Sequence, residues 1–244
     1  MEMSREKVAV VTGANKGLGY EIVKALCRKT TASYLTARNE EKGRRRSRTA
    51  RTRPQAEIPS AGHPPKVYQT DQTLIVNFFS LVDFCETISP LMRNGGCIVN
   101  VSSSSGHLSR IPSQRLRERL KDENLSLDEL KVLMQGYLLA VKHSRDVEDG
   151  WGESPYVVSK VGVNAYTFIL HRRLAPRDIR VNCVHPGYIR TDMTKGEGNV
   201  LPEQGADVVV QVALSDSRGQ YVWHNGTPVP WCGDDPRIWI DGKV

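Results

Sequence analysis

The sequence has few cysteines, and none of the spacings that cysteine-based sites use. Its five cysteines, at 27, 85, 97, 183 and 232, form no CxxC pair, which excludes a zinc knuckle and a disulfide framework. No run reaches the ~20 apolar residues that a membrane span needs. Residues 1–7 lack the apolar core of a secretory signal. We therefore expect a cytoplasmic protein with reduced thiols and no membrane partner.

Almost all of the net positive charge of the chain lies in one short segment. The formal net charge is +7, and six arginines lie between Arg44 and Arg53. Because the rest of the chain retains only +1 of that charge, we expect no general nucleic-acid partner. Residues 43–65 also lack any apolar period. We interpret them as an arginine-rich loop, either disordered or of aberrant origin, with a polyanion-binding arm as the alternative.

The remaining composition is ordinary for a globular protein, with 39% hydrophobic and 25% charged residues. Short apolar runs predict strands at residues 7–12, 33–37, 66–70, 97–102, 179–185 and 220–223. Helical patterns lie at 17–29, 74–92, 126–142, 156–174 and 202–213, and residues 226–244 receive no regular structure. This alternation predicts one α/β domain over 1–244, a doubly wound parallel sheet with helices on both faces.

A glycine-rich turn lies between the first predicted strand and helix, as Thr-Gly-Ala-Asn-Lys-Gly-Leu-Gly at residues 12–19. Glycines allow a tight turn and a close approach to phosphate, and the helix N-terminus supplies amide donors. The candidate phosphate contacts are Gly13, Asn15, Lys16, Gly17, Leu18 and Gly19. A glycine-rich turn without a ligand is the alternative.

Tyr156 and Lys160 form a YxxxK pattern at the start of a predicted helix, so both side chains project from one face. The pair follows Asn-Val-Ser-Ser at the end of a strand, residues 100–103, and precedes Pro186-Gly187. Alone, the pattern also fits an ordinary helix start with a solvated lysine.

In this order, the motifs resemble those of the short-chain dehydrogenase/reductase family. The resemblance implies a reduction in which hydride reaches a carbonyl carbon and Tyr156 donates a proton to the oxygen. Lys160 would lower the pKa of Tyr156 by favouring the phenolate, and Ser103 would polarise the carbonyl. Asn77, within Asn77-Phe78-Phe79, would support a water relay to Lys160.

The resemblance also implies a nicotinamide cofactor. An acidic residue after the second strand is usual for NADH, but this chain has Arg38 there, and Lys16 is a second cation. Both suit a ribose 2′-phosphate, which favours NADPH over NADH, unless they are merely surface cations. Asp71, at the end of the predicted third strand, resembles the family residue beside the adenine. Further expected cofactor contacts are Tyr156, Lys160, Pro186, Gly187, Ile189 and Thr191.

The spacing between Ser103 and Tyr156 is 53 positions, far more than in most classical members. Residues 104–152 therefore form an inserted helical segment. With the Gly-Ala-Asn-Lys-Gly loop, this insert is similar to that of the monomeric NADPH-dependent carbonyl reductases. We accordingly expect a monomer whose only partner is a small carbonyl substrate: an aldehyde, a ketone or a quinone.

One part of the family pattern is missing. Only six positions separate Asp71 from Asn77, where the family has a helix and a fourth strand with an Asn-Asn-Ala-Gly motif. We therefore expect the fourth strand to be missing, and a catalytically impaired member with a residual binding role is an alternative. His185, Trp223 and Trp231 either line the pocket or pack the core. The histidines show no metal-ligand spacing, so no metal is expected.

Overall fold

The computed structural model of the chain describes residues 7–29, 32–36 and 65–242. They belong to two compact units. The first consists of the described part of residues 1–60 together with Pro186–Leu214, and the second of residues 65–185 and 215–242. Arg38 lies outside the described residues, as does the arginine-rich loop except for its last residue, Pro65.

The first unit contains the strand, turn and helix predicted at the start of the chain. Strand β1 (Val8–Val11) pairs in parallel with β2 (Ala32–Leu35). Helix α1 (Gly17–Cys27) follows β1 and buries Ile22, Val23 and Leu26, three of the four apolar residues on the face that the sequence predicts. It packs against α7 (Pro202–Leu214).

A long helical run, Lys66–Leu91, opens the second unit. It consists of α2 (Lys66–Leu74), a π-helical turn (Ile75–Phe79), α3 (Ser80–Ile88) and a 3-10 turn (Ser89–Leu91). The strand predicted at 66–70 is therefore wrong. No Gly or Pro interrupts residues 66–89, and Thr70 and Leu74, one turn apart, are both buried. Packing on that helical face decides the conformation.

The same run is long and apolar enough to cross a membrane by length and composition alone, although we expected no such stretch from the sequence. Of the most apolar stretch of 18 residues in this run, 28% is buried within the protein. Core helices of soluble proteins satisfy the same criterion, so the observation is weak evidence for a span.

The sheet of the second unit has the order β3, β4, β5, β6. Its strands are β3 (Cys97–Val101), β4 (Arg180–Val184), β5 (Tyr221–Val222) and β6 (Pro228–Val229). The first three are parallel, and only β6 is antiparallel to its neighbour. Helix α6 (Pro155–Leu174) packs against β4 and is buried along most of its length. The predicted α/β class with parallel strands is confirmed.

The inserted segment at 104–152 is helical, as predicted. It contains α4 (Gln114–Lys121) and α5 (Leu127–Lys142). Ser126 caps α5 through a reciprocal capping box with Glu129. Met134 of α5 packs so closely on α6 that a Cβ at Gly162 would lie 2.8 Å from its sulfur.

The carboxyl-terminal region is more ordered than the sequence predicts. Besides β6 it contains a short helix, α8 (Pro236–Trp239), followed by Asp241. The Asp241 carboxylate accepts hydrogen bonds from the Trp223 indole at 3.2 Å and from His224 at 2.9 Å. Elements of two to four residues carry no detectable hydrophobic period, because one turn or one alternation is too short to reveal it.

The described residues 65–96, the region of the expected gap, contain no strand. Among the described strands, β1 forms a ladder with β2 alone and β3 with β4 alone. The described strands thus form a two-stranded ladder in the first unit and a four-stranded sheet in the second.

Candidate active site

In the first unit, each glycine of the turn has a backbone reason to be glycine. Gly13 and Gly17 have φ values of +63° and +55°, a left-handed conformation that costs other residues energy. At Gly19, a Cβ would lie 2.8 Å from the Gly13 carbonyl oxygen. The loop is thus folded tightly onto the first turn of α1, and the free amides at the start of that helix favour an anion.

Two other candidate residues lie at this turn. Lys16 immediately precedes α1, and its Nζ is 3.3 Å from the Asp192 carboxylate in an exposed ion pair. Thr191 packs beside the turn, with its Cγ2 3.5 Å from where a Gly17 Cβ would lie. The structure therefore brings Lys16, Gly17 and Thr191 together, although Thr191 is distant in sequence.

The other candidates between β4 and α7 are placed in the same unit. Pro186 and Ile189 are buried, whereas Gly187 is half-buried with φ +94°. Ile189 bridges to Val200 and packs against Gly205, where a Cβ would meet its side chain at 2.2 Å. Its role in the structure is thus packing of this loop against α7.

In the second unit, Tyr156 and Lys160 lie on the first turns of α6. Ser154 caps the helix by accepting a hydrogen bond from the Val157 amide, and Pro155 occupies the first helical position. The Lys160 ammonium donates to the Val101 carbonyl at 3.0 Å and lies 5.8 Å from the centre of the Tyr156 ring. Tyr156 is 41% exposed, so a ligand can reach it.

Ser103 follows β3 and begins a short 3-10 turn. Its Oγ accepts a hydrogen bond from the Ser105 amide at 3.2 Å. The Ser103 side chain is also close enough to Tyr156 to lower the pKa of that phenol. Ser103, Tyr156 and Lys160 therefore lie together, as the motifs predict.

Asn77 lies in the π-helical turn between α2 and α3, and π turns are frequent at functional sites. Its amide donates to Ser159 Oγ at 3.1 Å, and Ser159 donates to the Tyr156 carbonyl at 2.8 Å. Asn77 is thus connected to the helix of the tyrosine–lysine pair through Ser159. Ser159 was not among the candidate residues, although it lies inside the YxxxK pattern.

Comparison with known proteins agrees with this geometry. The sequence model described as short chain dehydrogenase matches residues 134–220. Carbonyl reductase (NADPH) 3 of Rattus norvegicus is 32% identical, in an alignment that covers 86% of this chain and 92% of that protein. Carbonyl reductase (NADPH) 1 of Homo sapiens is 30% identical, covering 85% and 90%. This chain is a short-chain dehydrogenase/reductase.

Solved structures show the fold that this family membership implies. Salutaridine reductase from Papaver somniferum matches with a TM-score of 0.74 at 24% identity, covering 88% of this chain and 99% of that one. The NADPH-bound carbonyl reductase from chicken fatty liver matches at 0.59 and 15% identity, covering 93% and 95%. The Rossmann-like fold of the short-chain reductases is confirmed.

Two expected cofactor contacts of this short-chain reductase need separate comment. Arg38 lies outside the described residues and stays a prediction. Asp71 lies on helix α2 and not at the end of a strand, because residues 66–74 continue directly into the helix of Asn77. The strand-end position on which its expected place beside the adenine depended is therefore wrong.

Burial controls the protonation of the short-chain reductase pair. It lowers the pKa of Lys160 to about 8 and raises that of Tyr156, an increase that the Ser103 side chain only partly offsets. Tyr156 is therefore protonated at neutral pH, the state a proton donor requires. The lowering of the Tyr156 pKa by Lys160 stays a prediction.

His185, Trp223 and Trp231, whose roles could not be decided from the sequence, all have packing contacts in the structure. Trp223 is completely buried and meets His185 edge-on, with ring centres 4.6 Å apart. Trp231 packs on Phe168 at 5.2 Å and donates its indole proton to the Gly106 carbonyl. Within the described part of this reductase, no three His, Cys, Asp or Glu side chains are grouped for a metal.

Proposed function

We propose that the chain catalyses the NADPH-dependent reduction of an aldehyde, ketone or quinone to the alcohol. The observation that carries this proposal is the grouping of Ser103, Tyr156 and Lys160 at the ends of β3 and α6. The similarity to carbonyl reductases of Rattus norvegicus and Homo sapiens supports NADPH and this substrate class.

The residues of the glycine turn fit a dinucleotide phosphate. Positive φ at Gly13 and Gly17, and the absence of room for a Cβ at Gly19, leave bare backbone at the start of α1. Lys16 adds a cation to this surface, and we propose that Asn15, Leu18 and Thr191 complete the contacts. Bound NADPH supplies the hydride.

In the proposed mechanism, this chain's own residues orient the carbonyl and deliver the proton. The Ser103 hydroxyl hydrogen-bonds the carbonyl oxygen and favours the negative charge that develops there. Tyr156 transfers its phenolic proton to that oxygen, which completes the alcohol. The Lys160 ammonium, anchored on the Val101 carbonyl, stabilises the phenolate that remains.

Asn77 and Ser159 stabilise the position of the first turn of α6, which carries Tyr156. Ser159 bridges the Asn77 amide and the Tyr156 carbonyl, and so holds the π-helical turn against the first turn of α6. We propose that Asn77 fixes this end of α6 and, by family analogy, orders a water that leads to Lys160.

Assembly and location are part of the same proposal. Helix α6 packs against α5 of the insert and against Phe78, since a Cβ at Gly162 of α6 would lie 2.8 Å from Met134 and 3.0 Å from Phe78. A helix covered in this way is not available to a second chain. We propose a cytoplasmic monomer that acts on a small molecule.

The experiment that tests the function is turnover of para-nitrobenzaldehyde with NADPH by the purified chain. Tyr156→Phe should lower kcat at least about a hundredfold, because the proton donor is lost, yet leave NADPH binding unchanged. The matched control is Tyr68→Phe, an exposed tyrosine on α2. Full turnover by Tyr156→Phe would refute the proposed role.

A catalytically impaired member is the second candidate, and the lack of a strand in residues 65–96 favours it. In that case the wild-type chain would bind NADPH without consuming it, whatever carbonyl is offered. Cofactor binding and turnover, measured on the same preparation, separate the two candidates.

A further inference from the structure

The loop that carries Ser103 is held by side chains from distant parts of the second unit. We call residues 102–108 the serine loop. The Tyr221 hydroxyl donates to the Ser103 carbonyl at 2.6 Å. The Trp231 indole and the Asn164 amide both donate to the Gly106 carbonyl, at 2.8 and 2.9 Å. The Leu108 amide donates in return to the Trp231 carbonyl at 3.0 Å.

The serine loop is also pressed against α6. A Cβ at Gly106 would lie 2.6 Å from Ser102 Oγ and 3.0 Å from the Lys160 carbonyl oxygen. Backbone movement of the loop on this side is blocked by the helix that carries Tyr156 and Lys160. The carbonyls of Ser103 and Gly106 are held by side-chain donors, Asn164 from α6 itself and Tyr221 and Trp231 from outside that helix.

The hydrogen bonds that the Ser103 carbonyl accepts restrain the orientation of the Ser103 side chain. Its carbonyl accepts from two donors, the Gly106 amide at 2.9 Å and the Tyr221 hydroxyl. Because the carbonyl carbon and Cβ are bonded to the same Cα, a fixed peptide plane restrains the direction of the Cα–Cβ bond, and the Ser105 amide, which donates to Ser103 Oγ at 3.2 Å, restrains the rotamer of the hydroxyl. Tyr221 is 1% exposed, and burial raises its pKa well above the ordinary value, so its proton is available at any physiological pH.

We propose that Tyr221 and Trp231 are positioning residues that aim the Ser103 hydroxyl. This inference rests on the proposed function, in which Ser103 polarises the carbonyl. Tyr221 lies in strand β5 and Trp231 follows β6, so both residues are outside the sequence motifs. They influence the reaction through their hydrogen bonds to the two carbonyls of the serine loop. Neither residue touches the reacting atoms.

The test removes one hydrogen-bond donor at a time and keeps an aromatic ring at each position. Tyr221→Phe deletes only the hydroxyl, and Trp231→Phe deletes the indole N–H while retaining an aromatic ring against Phe168. The matched control is Tyr166→Phe, because Tyr166 is equally buried and donates to Glu86 at 2.7 Å, with no hydrogen bond to the serine loop. Amide hydrogen exchange of residues 102–108 is measured in each variant, together with kcat and KM for para-nitrobenzaldehyde.

We expect Tyr221→Phe and Trp231→Phe to speed exchange in the serine loop, with kcat about tenfold lower and the KM for NADPH unchanged. Tyr166→Phe should melt at a lower temperature without either effect. In a Ser103→Ala background, Tyr221→Phe should lower kcat no further, because both changes act through the same hydroxyl.

The exchange measurement requires no turnover, so it remains decisive if the wild type proves inactive and the proposed function fails. Serine-loop exchange in Tyr221→Phe that matches the Tyr166→Phe control would overturn the inference. So would an undiminished effect of Tyr221→Phe on kcat in the Ser103→Ala background.

Discussion

Three features of the structure meet at the Lys160 ammonium. Its Nζ donates to the end of β3, lies beside the Tyr156 ring and is buried enough to lower its pKa to about 8. Removing an ammonium from water costs free energy that a single carbonyl contact does not recover fully. The residue is therefore retained at a cost in stability, which is usual for a group kept for chemistry.

This cost predicts a particular pH dependence of stability. Between pH 8 and the ordinary pKa of 10.5, the unfolded chain binds more protons at Lys160 than the native chain, so native stability rises with pH. Urea unfolding of the wild type and Lys160→Met across this range should show the wild type gaining relative stability. A difference independent of pH would contradict the burial of the ammonium.

The glycine turn allows a second residue-scale test, with an internal control. Gly19→Ala places a Cβ 2.8 Å from the Gly13 oxygen and should destabilise the chain by roughly 1–3 kcal/mol, with weaker NADPH binding. Gly136→Ala, on α5 with nothing within 4 Å, should instead stabilise it by about 0.5–1 kcal/mol. Calorimetric melting with and without NADPH measures both, and unchanged melting of Gly19→Ala would show that the turn is not tightly closed.

At the scale of elements, the inserted segment builds much of the core of the second unit. Leu116 and Leu120 of α4 and Leu130, Met134 and Tyr137 of α5 are buried in it. Here α5 covers a face of α6 that would otherwise be apolar and exposed, and such faces promote association.

We therefore expect the chain to be a monomer in solution. Light scattering coupled to gel filtration should give the mass of one chain, 27.3 kDa. Met134→Glu, which places a charge in the α5–α6 contact, should expose that face and cause aggregation or self-association. A wild-type mass of two or four chains would disprove the expected monomer.

At the scale of the whole molecule, the glycine turn and the group of Ser103, Tyr156 and Lys160 belong to different compact units. The first unit carries the glycine turn with Lys16, and the second carries Ser103, Tyr156 and Lys160. The proposed roles of the two groups can be tested by separate readouts on the full chain, NADPH binding for the glycine turn and turnover for Ser103, Tyr156 and Lys160.

Cofactor choice should be visible in thermal unfolding of the full chain. A ligand at ~100 times its Kd adds about 2.7 kcal/mol to native stability, and NADPH should raise the melting temperature more than NADH because Lys16 favours a ribose 2′-phosphate. Lys16→Met should reduce the difference between the two cofactors. Equal shifts for NADPH and NADH would refute the preference.

Local patterns in the sequence were sufficient to predict much of the fold and the grouping of Ser103, Tyr156 and Lys160. The strand–turn–helix at the glycine turn and the helix start at Tyr156 and Lys160 could be predicted because each depends on neighbours within a short stretch of chain. The strand at 66–70 was wrong, because five residues of mixed pattern fit a strand and a helix equally well.

The sequence by itself determined the family motifs and the parallel α/β class, both of which are written in local order and spacing. Tertiary structure alone decided that residues 66–91 form one helical run and that Ser159 connects Asn77 to α6. It also decided that Tyr221 holds the Ser103 carbonyl. These two contacts join residues 82 and 118 positions apart, and a periodic pattern carries no information over such distances because only packing brings the partners together.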